Sequence, residues 1–335
     1  MRVNNQILFN QIIASLAKKN SEIYLAHEKL TSLKKINRPS DDVASYTKAT
    51  NYKIKVNSIE QFKRNIDIAD GMLKFAERQL NDLSDTWDRV SELTVLGLNA
   101  TEDSTSRLAI ASELKNIANF MLGIANSKYE GNYIFSGYKS DQPPFSSIDS
   151  NYKGDSNQII VSIDNTSYLG ANVTGDKLFL FNNFPSTSLV TEEGKHIYYN
   201  SQSDGSLNIE IRDRDDTTVI KTINIKNVID GIDKLSNAFK NNNTLEAKAI
   251  FEIVNFAKNQ IIVSQTEVGA KLARLERQYE KLEETDLIYK KLLSNIQDAD
   301  IAEVASEIAN IQASLEALRL SASKIFSQSL LDFLR

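Results

Sequence analysis

The chain has 335 residues, 41% of them hydrophobic and 25% charged, which is enough apolar sequence to bury the cores of two or three domains and excludes a disordered chain. Its 39 basic and 44 acidic residues leave a net charge of −5 with both signs interspersed, so the basic footprint of a nucleic-acid or anionic-membrane binder is absent. Cysteine is absent too, which excludes disulfides and thiolate metal sites; no run reaches the ~20 apolar residues of a membrane span, and the start Met1-Arg-Val-Asn-Asn-Gln6 lacks the marks of a cleaved signal peptide.

In chain order, Phe9, Ile12, Leu16, Ile23, Ala26, Leu30 and Leu33 recur in steps of three and four, broken only at Lys19, and predict a helix with one narrow apolar stripe. The pattern stops at Lys34 to Arg38. Pro39 biases Arg38 toward extended backbone; Ser40 is then the expected N-cap of a new helix, with Asp41 and Asp42 in its first turn near the positive dipole end. Two adjacent carboxylates supply too few oxygens for a hard cation, so Pro39, Ser40, Asp41 and Asp42 read as a helix-restart turn.

From Ile59 the stripe Phe62, Ile66, Ala69, Leu73, Ala76, Leu80, Leu83, Trp87 and Val90 marks a second long helix, with Trp87 as a core aromatic. Continuous from Asp41 to Asn99, it would extend roughly 85 Å, which predicts a rod. Residues Thr101 to Thr105 offer caps for a third helix carrying Ile110, Leu114, Ile117, Met121 and Ile124 to about Tyr129, and the short connection predicts an antiparallel helical hairpin. Seven of the twelve glycines and three of the four prolines then fall between Gly131 and Gly205, which excludes long helices there. Branched and aromatic runs predict strands at 132–136, 158–163, 177–181, 196–199, 207–212 and 217–225, forming an antiparallel, half-buried β domain.

Val228 to Phe239 returns to helix. A long helix from Thr244 bears the seam Ile261, Val268, Leu272, Leu275, Tyr279, Leu282, Tyr289, Leu293 and Ile296, with Gln265 and Asp286 as polar interruptions, and is matched to pair with the second helix. Asp298 to Asp300 is another break, where Asp300 and Glu303 have capping-box spacing. The last helix repeats the narrow stripe with Ile301, Val304, Ile308, Ile311, Leu315, Leu318, Ala322 and Ile325. The two ends therefore carry matching seams and are expected to pair. The expected architecture is mainly α with a β insert, a long antiparallel coiled-coil rod carrying an antiparallel β domain. Its parts are a terminal assembly domain (1–39 and 298–335), a helical rod (40–140 and 228–297) and a β-rich insert (141–227), separable from the rod.

No catalytic constellation is present in the sequence. His27 lies on a helix meant to pair, His196 beside a strand, and neither sits in a nucleophile, metal or phosphate-loop motif. The adjacent pairs Asp215 with Asp216 and Glu283 with Glu284 diverge on a strand or helix, whereas acid–base catalysis needs convergence. No cofactor or metal is expected.

The opening Met1-Arg-Val-Asn-Asn5, the turn Asn37-Arg-Pro-Ser-Asp-Asp42, Arg89-Val-Ser-Glu-Leu-Thr-Val95 ahead of Asn99-Ala-Thr101, Ala125-Asn-Ser-Lys-Tyr-Glu-Gly-Asn-Tyr-Ile-Phe-Ser-Gly137, the Asp298-Ala-Asp300 restart and the ending Ser329-Leu-Leu-Asp-Phe-Leu334 together resemble the flagellin superfamily. The Pro-Ser-Asp-Asp turn and the Tyr-Ile-Phe-Ser-Gly stretch favour its hook–filament junction members over filament flagellin, the alternative. One departure is Val43, where the family commonly has proline. The resemblance implies a secreted structural component of the bacterial flagellum and of motility, exported by the flagellar type III apparatus. It implies also that the terminal helices are mobile in the monomer and coil together on assembly. Implied partners are further copies of itself in a ring or helical array, neighbouring hook-associated proteins and flagellin, and an export chaperone on the C-terminal helix, with no nucleic acid or membrane. A different class, a secreted coiled-coil adhesin or effector whose β domain binds a ligand, shares the same architecture.

Overall fold

The computed structural model describes residues 2–99, 103–191 and 193–333, with side chains except at 2–6, 8 and 325–333. The three-and-four spacings become α1 (Arg2–Ser32), α2 (Val43–Leu98) and α3 (Ser104–Ala125). The glycine-rich middle holds β1 (Lys128–Tyr129), β2 (Asn132–Tyr133), β3 (Ile160–Ser162), β4 (Tyr168–Gly170), α4 (Gly175–Phe179), β5 (Ser188–Val190), β6 (His196–Ser201), β7 (Leu207–Arg212) and β8 (Val219–Ile225). Helices return as α5 (Val228–Lys240), α6 (Thr244–Gln297) and α7 (Ile301–Phe333). The chain divides into two compact units, residues 1–60 with 282–335, and residues 61–281.

Within the second unit, the α2 stripe is the core: Ile66, Ala69, Leu73, Ala76, Leu80, Leu83, Trp87 and Val90 are all buried. Helix α6 runs antiparallel beside it, since Lys258 pairs with Asp88 while Gln265 donates to Asn81 Oδ1 at 2.8 Å and Lys63 sits 4.9 Å from the Tyr279 ring centre. Gln265, a polar interruption of the seam, is thereby satisfied. Asp103 caps α3 by accepting from Ser106 N–H at 2.7 Å. Helix α3 ends at Ala125, four residues short of expectation, where Asn126 takes the cap and turns the chain. Arg89 bridges α2 to Glu113 of α3 at 2.7 Å, and α3 approaches α5 more closely still: Ser236 Oγ donates to the Ala111 carbonyl at 2.6 Å.

Two asparagines fix the borders of the middle segment. Asn126 donates from Nδ2 to Phe145 O and accepts from Phe145 N–H at the entrance. Asn227, fully buried, donates from Nδ2 to Ile148 O and Ser150 O at the exit while its Oδ1 caps α5 at Asp230 N–H. The short β1–β2 hairpin turns on Glu130 (φ 49) and Gly131 (φ 88), two consecutive left-handed residues that give the backbone twist a two-residue hairpin prefers. Beyond it the sheet order is β3-β4 and, separately, β5-β6-β7-β8, antiparallel throughout.

The expected strand at 177–181 is instead largely helix α4. Leu178, Phe179, Leu180 and Phe181 are all buried. Aromatic bulk suits a strand but suits equally a one-turn helix pressed into a core, and Phe179 packs edge-on against Phe135 and Phe145. The sheet's inner face closes on α6: Phe184 lies 4.7 Å from the Phe256 ring, and Tyr199 donates to the Ala249 carbonyl at 2.8 Å.

Candidate assembly seam

In the first unit, α1 and α7 pack along their stripes. Ala26, Val304, Ile308, Ile311 and Leu315 form a buried cluster, with Leu16, Ile23 and Leu30 of α1 packed against it. Ile12 and Leu318 are half-buried beside them, and Ala322 is buried. Lys19, at the break in the α1 stripe, is half-buried and pairs with Glu22 at 2.6 Å, so its ammonium leaves the seam for the surface. Lys29 reaches Glu307 at 3.6 Å across the pair.

Two residues expected in the seam keep part of their surface open: Phe9 is 41% exposed and Ile301 56%. Both lie near the ends of their stripes. Ile301 is the first residue of α7, directly after Asp300, and the chain there is still leaving the α6–α7 break. The side chain of Ile325 lies outside the described residues. Further apolar groups stand on the outer faces, among them Ile13, Tyr24 and Leu25 of α1 and Leu320 of α7.

The restart turn is built differently from expectation. Arg38 to Asp41 forms a β-turn, with Asp41 N–H donating to Arg38 O at 3.1 Å and Pro39 supplying the fixed φ of its second position. Helix α2 begins at Val43, so its N-cap is Asp42 rather than Ser40: Oδ1 of Asp42 accepts from the N–H groups of Ala44 at 3.0 Å and Ser45 at 3.1 Å. Asp41 lies outside the first helical turn and closes the loop by accepting from Asn37 and Arg38 N–H at 2.9 Å each. These bonds favour the ionised forms: the carboxyl of Asp41 is held below its ordinary range by the Arg38 and Asn37 amides, and that of Asp42 by Ser45. Arg38 is secured as a cation by Glu28, which it meets at 2.9 Å.

The two breaks meet. Lys35 N–H donates to Gln297 O at 2.8 Å and Ala299 N–H to Leu33 O at 3.0 Å, around an antiparallel bridge between Lys34 and Asp298. Lys35 Nζ adds a bond to Asn295 O, and the buried Gln297 side chain one to Ile36 O. The ends of α1 and α6 and the start of α7 thus supply partners to one another's orphan backbone groups. Leu33 pays a conformational cost for this, with φ at +58. Asp300 Oδ1 caps α7 at Ala302 and Glu303 N–H. Sequence reading found each break and missed their contact, which only the high proportion of charged and polar residues at Lys34, Lys35, Gln297 and Asp298 hints at.

His27 is exposed on α1, and His196 faces Tyr198 on β6, ring centres 6.5 Å apart. Among the described residues no group of three or more His, Cys, Asp or Glu is placed to hold a metal ion, and no helix is long and apolar enough to cross a membrane.

Residues 3–140 match the bacterial flagellin N-terminal helical region and residues 251–334 the bacterial flagellin C-terminal helical region, together well over half of the chain. The chain is 22% identical to flagellar hook-associated protein 3 of Salmonella typhimurium over 95% of its own length and 94% of the relative's. It is 24% identical to flagellin of Bacillus subtilis over the whole of both chains. A putative flagellar hook-associated protein of Vibrio parahaemolyticus shares the fold at a TM-score of 0.60 and 19% identity, over 77% of this chain and all of that one. Both flanking helical regions, joined as the structure joins them at the paired breaks, make the chain a member of the bacterial flagellin family.

Proposed function

We propose that this chain is a structural component of the flagellum, the adaptor that joins hook to filament, exported by the flagellar type III apparatus and resident at the hook–filament junction. The observation that carries this reading is the match to the Salmonella hook-associated protein, which continues through the middle segment as well as the helical flanks. The stretch that favours junction members, Ile134-Phe-Ser-Gly137, is buried where the chain enters that segment, and Gly137 adopts φ +69 with Asp155 against it. Residues 1–39 and 298–335 would act as the assembly domain, 40–140 and 228–297 as a helical rod, and 141–227 as the insert. The seam residues from Leu16 to Leu30 and Val304 to Leu318 couple the two ends, while exposed Ile301 is left for contacts between copies. Partners in this reading are further copies in a ring, the adjoining hook-associated protein and flagellin, and an export chaperone on the C-terminal helix. The role is structural, without catalysis.

The full-length similarity to Bacillus subtilis flagellin supports a second reading, filament flagellin. Electron microscopy of a deletion strain separates them. Bare hooks, with flagellin still secreted into the medium, are the expected result; loss of the dominant filament protein itself would establish the second reading. Intact motility with loss of surface binding, on deleting Ser146 to Asn224, would instead favour an adhesin.

A further inference from the structure

The four-stranded sheet ends on two open edges whose backbone groups are complementary. On one side, Tyr199 N–H donates to Thr187 O at 3.2 Å and Thr191 N–H to Lys195 O at 2.9 Å, with Leu189 opposite Ile197 between them. Alternation in an antiparallel ladder then turns the N–H and C=O of Ser188 and Val190 away from the sheet. On the other side, Gln202 N–H donates to Ser206 O at 2.8 Å, which assigns the even-numbered residues of β7 to β6 and leaves Leu207, Ile209 and Ile211 to bond β8 at Ile225, Ile223 and Lys221. Thr222 and Asn224 therefore point their backbone outward.

Every residue of β5 is exposed, as are residues 219–222 and 224 of β8. Val190 is 62% exposed and Ile220 51%. Sheet edges are usually kept from pairing by charge. Lys221 is the only charged side chain in either strand, and its ammonium is engaged by Glu246. The irregularity beside Ile211 and Arg212 ends the regular ladder near Ile220, which limits any edge pairing to about two residues from each side.

We propose that in the assembled state the β5 edge of one copy pairs antiparallel with the β8 edge of the next, setting Ser188 opposite Asn224 and Val190 opposite Thr222. This matches one polar residue with another and two β-branched residues with each other, and brings Ile220 onto the diagonal of Val190. The two edges lie on opposite sides of one sheet, so the contact is heterologous and propagates from copy to copy. A ladder of two residue pairs covers far less than the about 1,200 Å² of a stable interface, so it does not join free copies and forms only where the helices already hold neighbours together. In this the inference rests on the assembly reading above.

The chain has no cysteine, so introduced thiols report without background. The double variant Val190→Cys/Thr222→Cys is expressed as the sole copy in a flagellated strain, and isolated flagella and the soluble secreted chain are treated with a short bis-maleimide. A ladder of cross-linked multimers from flagella, with monomer only from the soluble chain and an unchanged thermal melt, is the expected result. Ser188→Cys/Asn224→Cys should give the same ladder and guards against a local effect at Val190. Monomer alone from flagella shown by immunogold labelling to contain the chain would overturn the pairing while leaving the assembly reading intact. Absence of the label from flagella would overturn both. Dimers from either single-cysteine variant would show like edges meeting and would overturn the heterologous arrangement.

Discussion

Leu80 and Leu315 occupy comparable places in their stripes, yet truncating them should have opposite consequences. Leu80 is fully buried in the second unit, among Ala76, Leu83 and Trp87. Replacing it with Ala removes three carbons' worth of packing and leaves a cavity that rigid neighbours on α2 and α6 cannot close, at a cost of about 3 kcal/mol. For a cooperative unit of about 200 residues that lowers the melting temperature by about 6–12 °C. Leu315 is almost as buried, at 6% exposure, but the stripe it belongs to is narrow, and the described buried members of its cluster are Ala26, Val304, Ile308, Ile311 and Leu315. One narrow stripe on each helix has to order helices of 31 and 33 residues against their conformational entropy, which is expected to place the pair at the low-stability end of the molecule.

Leu315→Ala should therefore leave the main transition within about 1 °C of the parent while abolishing swimming, if the seam has the assembly role proposed above. The single tryptophan makes the measurement specific, since Trp87 is buried in the second unit and its fluorescence reports that unit alone. Parent, Leu80→Ala and Leu315→Ala are melted under fluorescence and scored for swimming. If Leu315→Ala lowers the Trp87 transition as far as Leu80→Ala does, or if its cells swim with full filaments, the seam is not a separate assembly element.

Gly97→Ala places a methyl group 2.7 Å from two carbons of the buried Phe239 ring, so it should destabilise the second unit by about 1–3 kcal/mol in a thermal melt. Arg107 is only 8% exposed and donates to Gly97 O at 3.1 Å, Asn99 O at 3.2 Å and the Asn242 side chain; Arg107→Met should cost about 3 kcal/mol by urea unfolding, since it strands carbonyls at the α2 C-terminus. The carboxyl of Asp42 is shifted down in the folded chain, so its capping contribution is present above the unfolded value of about 4 and is lost as pH falls through the lower folded value. Protection of the Ala44 and Ser45 amides, taken relative to their intrinsic exchange at each pH, should fall on acidification in the parent, and Asp42→Asn should retain the cap and abolish that pH response. Leu33→Gly should relieve the positive φ and slow exchange of the Lys35 and Ala299 amides, whereas Leu33→Val should quicken it.

Periodicity revealed the long helices because each buries one narrow face, and in α2 that face from Ile66 to Val90 is the buried one in the structure. It failed where an apolar residue's fate depends on chain direction rather than spacing, as at Ile301, which has the right phase but precedes the point where α7 meets α1. The cap went to Asp42 instead of Ser40 because Pro39 is used as the corner of a β-turn, which spends two further residues before the helix begins. Lys177 to Phe181 has strand-like composition, but its burial comes from Phe135 and Phe145, far away in sequence and invisible to a local window. Arg107 gave no signal at all: a lone arginine early in α3 looks like surface, and its three acceptors come from the α2 terminus and the turn before α6.

The contact between the two breaks bears on how the ends of this chain are used. Were α1 and α2 one continuous helix, and α6 and α7 another, the terminal seam would be an extension of the inner helices and would share their register. The turn at Arg38 to Asp41 and the bridge at Lys34 and Asp298 interrupt both strands at the same level, while backbone bonds from Leu33 and Lys35 to Ala299 and Gln297 tie the interruptions together. The terminal pair can then loosen without leaving unpaired backbone groups in the inner helices, because Asp42 caps the start of α2 and Lys35 serves the Gln297 and Asn295 carbonyls at the end of α6, all from within the joint. In the assembly role proposed above, a weak seam bounded by a firm joint would let the ends order on neighbours at little cost to the folded remainder, and this separation is what the paired leucine substitutions measure.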